Sequence, residues 1–384
     1  MTVVPLPSAE QVDLVPPGPA EVQATANGIA ALVAPEGGLT DLQRVLVEAL
    51  FPAMTGHPVD VEAFAPMTPE DLARVLERRS AAFRARGVQV ALLCALVLRP
   101  LPAEVAARIE AAARALQVDD GMVAVARRFA AGALGLAAAD FERNGYTAGW
   151  DPGDAAALHT SVALGSPWDV AVRDDELAAR WEALDDLPEG TLGQGVARLY
   201  RARGFEVPGR PGSAPPLLAQ HDWVHVLADY GTTVEAELEV FALIARANDD
   251  MRAFSLLAMV VSLFETGYLR SGAGLFESSP GHLSSSEVAV RIADAMRRGA
   301  LLHDEETGSD SVDLLRVDWF AAAAQPLEQV RRRFHLVPTG EGARAAGSVG
   351  PWDAGGISPF QERAGREAAA RRGSAYDAFG ASPL

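Results

Sequence analysis

The chain has 384 residues, 49% hydrophobic and 22% charged, which suits roughly two to three domains with sizeable cores. Its formal net charge of −18 argues against nucleic acid as a partner, because binding a phosphate backbone needs a positive face. The longest apolar runs, Val90–Leu98 and Phe254–Phe264, are shorter than the roughly 20 residues that cross a bilayer, and the N-terminus lacks the pattern of a signal peptide.

Stretches rich in alanine, in leucine, or in glutamate and arginine dominate the sequence, and aromatic residues make up only 7%, so the composition favours helices over sheets. We expect an all-α fold with two helical blocks. Residues 1–36 are rich in proline and residues 338–384 in glycine, alanine, serine and arginine. Both segments lack a core-forming pattern and are expected to be disordered tails.

The first helical block is expected over residues 37–145. Thr68-Pro69 is a helix start with proline at the first helical position, and further helices are expected after Pro102 and after Asp119 or Asp120. Cys94 is the chain's only cysteine, which excludes an intrachain disulfide, and we expect it to be a buried core residue. Leu92–Phe129 loosely resembles the helical TerB-like domain of tellurite-resistance proteins. The acidic motif of that family is absent from residues 97–102, so its metal site is not expected here.

Glycine and proline mark residues 146–173 as a connector, and a second helical block is expected over 174–337. Within that block, His221-Asp222-Trp223-Val224-His225 is followed after eleven residues by Glu237. On a helix the two histidines lie one turn apart, and Asp222 projects over the same flank. Near Asp229–Gly231 this helix should end, and Thr232 or Thr233 should cap the next one.

On the second helix, Glu237 falls within the apolar arc, whereas Glu235 and Glu239 are expected to point away from it. A carboxylate on a buried arc costs several kcal/mol unless it is paired. Two neutral imidazoles and an aspartate could not neutralise it, but a divalent cation could bind all four side chains. We therefore predict a metal site formed by His221, Asp222, His225 and Glu237. The donor set suits zinc first, with iron, manganese or cobalt as alternatives.

The pattern HDxxH, eleven residues, E resembles the motif of the coenzyme Q (ubiquinone) biosynthesis protein 4 family. Leu187–Gly193, His225–Glu237 and the segment from Val317 to Arg331 also resemble that family, so the resemblance covers about residues 184–337. Two positions depart from the family pattern: Asp229 and Ala236 each stand where glycine is usual. The four ligand positions are intact.

The resemblance implies a helical domain with a divalent metal and a tunnel for a prenyl lipid. It implies oxidative decarboxylation of the aromatic head of a prenylated quinone precursor, with the metal as a Lewis acid. Neither a catalytic residue nor an organic cofactor can be named from the sequence. The apolar residues of the run 254–263 could line the tunnel or form an ordinary core helix. We also expect the protein to be a cytoplasmic homo-oligomer that contacts the membrane peripherally. We expect it to interact with other quinone-biosynthesis proteins.

Two alternatives stay open. The HDxxH sequence is similar to the HExxH helix of zinc peptidases, although Asp222 is one methylene shorter than the glutamate that acts there as a base. A non-catalytic lipid-binding scaffold for quinone-biosynthesis enzymes is the second alternative. Four protein ligands would then close a structural metal site, whereas three ligands and a water are usual in catalytic ones.

Overall fold

The computed structural model describes residues 16–98, 100–119, 121–131, 156–160, 173–248, 253–261 and 286–377. The described residues are mostly helical, and their only bridges of β type are two isolated pairs. The predicted all-α fold is therefore confirmed. None of the described helices combines the length and apolar character that crossing a bilayer requires.

The chain divides into two compact units. Unit 1 takes the described residues up to 131, together with 253–261 and 286–289. Its helices are α1 (Pro19–Val33), α2 (Asp41–Thr55), α3 (Pro69–Val75), α4 (Ala81–Leu96), α5 (Ala103–Ala115), α6 (Gly121–Ala130) and, later in the chain, α11 (Ala253–Val261).

Side-chain caps and close packing explain the form of unit 1. Thr40 and Thr68 each form a capping box at the start of α2 and α3. Gly28 lets α1 approach α3, since a Cβ there would lie 2.6 Å from Leu72 Cδ1. The buried Gln43 amide donates to the carbonyls of Val33 and Cys94, which lie at the ends of two helices where backbone acceptors lack helical partners.

Unit 2 takes the described residues 156–160, 173–248 and 290–377. Its helices are α7 (Asp175–Glu182), α8 (Leu192–Arg203), α9 (Pro216–Ala228), α10 (Val234–Ala247), α12 (Ser286–Ala300, of which residues from 290 belong to this unit), α13 (Trp319–Ala322), α14 (Leu327–Arg333), α15 (Glu341–Ala345) and α16 (Pro359–Arg372). An aromatic cluster forms part of its core. Trp223 on α9 is fully buried, 5.4 Å from Trp181 and stacked at 6.4 Å on Trp319, measured between ring centroids.

Three sequence expectations differ from the structure. Helix α1 lies within residues 1–36, which were expected to be disordered, because Val22, Ala26, Ile29 and Val33 form a buried stripe at helical spacing. The segment 338–377 is also ordered: it carries α15 and α16, which bury small and polar side chains. Residues 1–15 and 378–384 lie outside the described part of the chain.

The third difference concerns α11, which was expected in the second block but packs with α4 in unit 1. The Arg86 guanidinium lies 4.4 Å above the centroid of the Phe254 ring. Phe254, Leu257 and Val260 are buried, as in an ordinary core helix. The predicted tunnel run also includes the side chains of Leu256 and Met259 and residue Leu263, which lie outside the described part. Most of the predicted connector 146–173 does too.

Candidate metal centre

Helix α9 carries three of the four predicted ligands. Pro216 stands at its first turn, where a missing N–H is harmless, and every residue from Ala219 to Ala228 is buried. His221 and Asp222 are each 5% exposed and His225 is fully buried. Polar groups on a helix buried all round are tolerated only when they find partners.

The turn between α9 and α10 positions the ligand side chains. Helix α9 ends at Asp229, which adopts the left-handed conformation with φ 62° and ψ 50°, and Tyr230 N–H then donates to the His225 carbonyl. Thr233 caps α10 by accepting a hydrogen bond from Ala236 N–H, so the predicted helix end and cap are confirmed. This turn brings the Gly231 carbonyl to the ring of His225, 2.7 Å from Nδ1.

Three donor groups converge between α9 and α10. His221 Nε2 lies 3.3 Å from Glu237 Oε2, and His225 Nε2 lies 3.4 Å from Glu237 Oε1. One ligand atom from each of the three residues lies within 4.8 Å of the others. A buried group formed by His221, His225 and Glu237 could therefore hold a metal ion.

Asp222 lies beside this group and outside the set of three. Its Oδ1 is 3.5 Å from His221 Nε2, and its Oδ2 accepts a 2.5 Å hydrogen bond from the hydroxyl of Tyr200 on α8. The aspartate is thus either a fourth ligand through Oδ1 or a group that orients His221. Its role as a ligand remains a prediction.

In each imidazole, the partner of Nδ1 determines whether Nε2 has a free lone pair. Nδ1 of His221 contacts the carbonyl of Leu218, and Nδ1 of His225 contacts that of Gly231. A carbonyl only accepts, so each Nδ1 must carry the proton, and in the neutral ring each Nε2 offers a lone pair. Both lone pairs face the carboxylate of Glu237, which is also an acceptor. The His225 Nε2 atom, accordingly, is buried without a hydrogen-bond partner in the described structure.

The spacing of these atoms is compatible with a shared cation. Hydrogen bonds between nitrogen and oxygen cluster near 2.9–3.0 Å. Two atoms that each lie about 2.0–2.1 Å from a tetrahedral zinc are separated by roughly 3.4 Å. The observed 3.3 and 3.4 Å are close to the second value, and because they end on different oxygens of Glu237, one ion in this arrangement would contact both carboxylate oxygens.

Burial and charge shift the protonation of the group. Burial alone lowers the pKa of His221, but Asp222 and Glu237 outweigh burial and raise that pKa to about 9. Burial raises the pKa of Asp222, an effect that the two histidines only partly offset. For Glu237, burial favours the neutral acid, yet His225 and His221 hold its pKa well below the ordinary value. Its place in the first turn of α10 also favours negative charge, since the helix dipole is positive there. A proton and a divalent cation would compete for His221.

One prediction about α10 was wrong. Glu239 was expected to point away from the buried arc, but it is fully buried and accepts a 2.7 Å hydrogen bond from Arg291. Helix α10 is covered on more than one side, and the periodicity of one helix does not reveal how many neighbours cover it. Sequence reasoning also missed Tyr200 and the carbonyls of Leu218 and Gly231, which support the ligands. No spacing rule links Tyr200 to Asp222, because the contact joins two helices.

No match to the chain was found among protein-family models, curated proteins or solved structures. The fold and the site define an all-helical protein with a buried group of two histidines and one glutamate that could hold a metal ion. The resemblance to the coenzyme Q biosynthesis protein 4 family rests on the HDxxH and Glu237 pattern and on its flanking segments.

Proposed function

We propose that the protein binds one divalent metal through His221, His225 and Glu237, with Asp222 as the fourth ligand. This proposal is supported chiefly by two imidazoles whose Nδ1 atoms contact backbone carbonyls and whose Nε2 atoms, acceptors in the neutral rings, face the same buried carboxylate. Without a cation or an added proton, three acceptors would face one another in a site shielded from water. Zinc is the first candidate, and iron, manganese and cobalt suit the same donors.

Elemental analysis of the purified protein tests this proposal. Wild type should carry one equivalent of metal, whereas Glu237→Gln and His225→Ala should lose most of it. Glu235→Gln is the matched control, because it removes one negative charge from the same first turn of α10 at a residue outside the group of three. Equal metal content in all four proteins, or none in wild type after reconstitution with zinc and iron, would refute the assignment.

We further propose that the protein acts on a prenylated quinone precursor, as the family resemblance implies. A cation at this site would supply a Lewis acid for the carboxylate or phenolate oxygen of the aromatic head, and with Asp222 as a ligand that oxygen would need a fifth coordination position. The chain would hold that cation on α9 and α10 and exclude water from it, since the three donors are at most 5% exposed. This proposal draws on the intact ligand motif and its flanking residues.

Lipid extraction followed by mass spectrometry tests the substrate class. Protein purified from a quinone-producing host should carry a prenylated aromatic compound, and Glu237→Gln should change the amount or the chemical form of that compound. Incubation with a prenylated ring that carries a carboxylate, under air, should release carbon dioxide and leave a hydroxylated ring. The substrate proposal would be refuted if metal-loaded protein neither retained a prenyl lipid nor released carbon dioxide. The metal proposal would be unaffected by that result.

The position of Asp222 also favours a second candidate, a scaffold with a structural metal. Its Oδ1 atom is close enough to His221 Nε2 to complete a four-ligand site. Removing the metal by chelation would then lower the melting temperature of unit 2 sharply, since binding energy would be folding energy. A catalytic site with an open position predicts a small shift in melting temperature and complete loss of turnover.

A further inference from the structure

The last turn of α9, which carries His225, ends in a buried part of the protein. Every residue from Ala219 to Ala228 is buried. The last four carbonyl groups of an α-helix have no partner within the helix, and at a buried end they need donors from the protein itself. The first of these four, the His225 carbonyl, accepts from the backbone N–H groups of Asp229 and Tyr230. The carbonyls of residues 226–228 depend on donors from elsewhere.

Two arginines from other helices supply these donors. Arg331 on α14 donates from Nε to the Leu227 carbonyl at 2.8 Å and from Nη2 to the Val226 carbonyl at 3.2 Å. Arg298 on α12 donates from Nη2 to the Ala228 carbonyl at 2.8 Å. Every carbonyl of the last turn therefore has a partner. Both guanidinium groups also place positive charge at the negative end of the helix dipole, where it is favourable.

Both arginines are themselves held in place. The Arg298 side chain is 2% exposed, its guanidinium lies 4.7 Å above the ring of Tyr230, and its Nε donates to the Val337 carbonyl at 2.9 Å. Arg331 uses its remaining nitrogen, Nη1, to contact Glu328 on its own helix at 2.6 Å. Because each guanidinium is a planar group with several fixed donors, these contacts determine where the end of α9 can lie.

The position of this last turn determines the position of the His225 imidazole. The ring is attached to the turn, and its Nδ1 atom contacts the Gly231 carbonyl, which belongs to the chain that leaves the same turn. A displacement of the helix end would therefore move the ring and the group that orients it. Ligand atoms must be held within about 0.5 Å of a working geometry, so a small displacement matters for a metal.

We propose that Arg331 and Arg298 are positioning residues for the metal centre, which hold the last turn of α9 and thereby set where His225 lies relative to Glu237. This inference rests on the proposed metal-binding function and assigns roles to two helices, α12 and α14, that carry none of the ligands. The charge of the arginines alone would have the opposite effect, because a nearby cation repels a metal ion. Loss of that charge would tighten metal binding, whereas loss of the hydrogen bonds should weaken it.

Competition for zinc between the full-length protein and a chromophoric chelator tests the proposal. Arg331→Met removes the donors at a side chain that is 24% exposed, and it should weaken zinc affinity by about tenfold or more. Arg332→Met is the matched control, since it removes the same charge from the next, exposed position of α14 and should bind as wild type does. Wild-type or tighter affinity in Arg331→Met, or equal losses in both variants, would overturn the proposal.

Circular dichroism shows whether the variants fold at the temperature of the measurement. If Arg331→Met does not fold, Arg331→Lys takes its place. Lysine keeps the charge but replaces the paired donors with a single nitrogen, so this variant should also bind zinc more weakly than wild type. Wild-type affinity in a folded Arg331→Lys, where it is the variant used, would equally overturn the proposal.

Cobalt substitution provides a readout that a change in overall stability would not move. The visible absorption of bound cobalt depends on the arrangement of its ligands. In cobalt-saturated samples the spectrum of Arg331→Met should differ in band position or intensity from those of wild type and Arg332→Met. Identical spectra in all three proteins would mean that Arg331 supports the fold and not the site, which would overturn the proposal.

Hydrogen exchange on the metal-free protein separates this inference from the metal proposal. The amides of Asp229 and Tyr230 donate to the His225 carbonyl, and they should exchange faster in Arg331→Met than in Arg332→Met. Faster exchange in the variant, combined with a wild type that takes up no metal, would support the arginine cap and refute the proposed function. Unchanged exchange in the variant, combined with a wild type that carries metal, would refute this inference alone.

Discussion

A single hydroxyl holds Asp222 in place, and the metal proposal makes a specific prediction for it. Tyr200 donates a 2.5 Å hydrogen bond to Asp222 Oδ2 in a fully buried setting, and burial together with this carboxylate raises the pKa of the phenol well above its ordinary value. Tyr200→Phe should weaken metal affinity by about tenfold or more, as is typical when a group that orients a ligand is lost. Competition with a chromophoric chelator measures the change.

Tyr376→Phe provides the matched control for that measurement. Its hydroxyl donates a 2.9 Å hydrogen bond to the Ala202 carbonyl, away from the histidines. The variant removes the same atom and should leave metal affinity unchanged. Equal affinity in Tyr200→Phe and wild type would show that Asp222 needs no support and would weaken its assignment to the site.

Cys94 gives a test of unit 1 at the level of one residue. It is fully buried, which confirms the expectation from sequence, and burial raises the pKa of its thiol to about 12. At pH 8 roughly one thiol in ten thousand would be ionised, so the folded protein should not react with a disulfide reagent. Reaction should begin only when guanidinium unfolds unit 1. Ala375→Cys adds an exposed thiol and should react at once; rapid labelling of wild type would contradict the packing of α4.

At the scale of elements, the turn between α9 and α10 contains a non-glycine residue in the left-handed backbone conformation. Asp229 adopts φ 62°, which glycine tolerates and other residues adopt at a cost. Burial raises the pKa of its carboxyl group, and the ion pair with Arg331 is long, at 3.9 Å. The side chain therefore adds little stability to offset the cost of the backbone conformation. Asp229→Gly should therefore raise the free energy of unfolding by about 1 kcal/mol, measured by chemical denaturation.

Asp229→Ala separates the backbone effect from the loss of the side chain. Alanine also lacks the carboxylate but keeps the steric penalty of the left-handed conformation. It should be less stable than Asp229→Gly by about 1 kcal/mol. Equal stability of the glycine and alanine variants would mean that the backbone at 229 is unstrained.

Helix ends and the ligand helix could be predicted from the sequence because their causes are local. Thr68 and Thr233 cap helices through bonds to residues three positions later, and His221 and His225 meet because one helical turn separates them. The partners of Glu239 could not be predicted, since Arg291 lies 52 residues away and on another helix. Long-range contacts of this kind leave no periodicity in either segment.

At the scale of the whole molecule, the C-terminal segment explains the largest difference between expectation and structure. Helix α16 has few large apolar residues, so its composition resembles that of a disordered tail. It is held instead by close backbone packing and buried hydrogen bonds. A Cβ on Gly365 would lie 2.1 Å from the Ala202 carbonyl oxygen, which shows how near α16 comes to α8. Small residues permit such close contact between helices. A hydrophobicity pattern does not reveal it, because the contact involves few large apolar side chains.

This segment also supports the turn that orients His225. Gly231 N–H donates to the Val349 carbonyl and Thr232 N–H to the Gly356 carbonyl, each at 2.8 Å. The Thr232 hydroxyl accepts a 2.6 Å hydrogen bond from Arg203 and donates one of 2.6 Å to the buried Gln361. Residues 349–361 are thereby linked to the carbonyl that fixes the imidazole.

Gln361→Ala should consequently act on both stability and the metal. It removes the 2.6 Å acceptor of the Thr232 hydroxyl, which keeps only the Gly356 carbonyl at 3.4 Å as an acceptor, and it breaks the capping box with Ser358 at the start of α16. Together these losses should lower the free energy of unfolding by about 1–3 kcal/mol. Loosening of the turn should also weaken metal affinity. The exposed Gln329→Ala on α14 is the matched control and should change the unfolding free energy by no more than about 0.5 kcal/mol. Denaturation, metal competition and hydrogen exchange at residues 229–233 measure these effects. If Gln361→Ala lowered stability without changing exchange at the turn or metal affinity, the C-terminal segment would brace the fold but not the site.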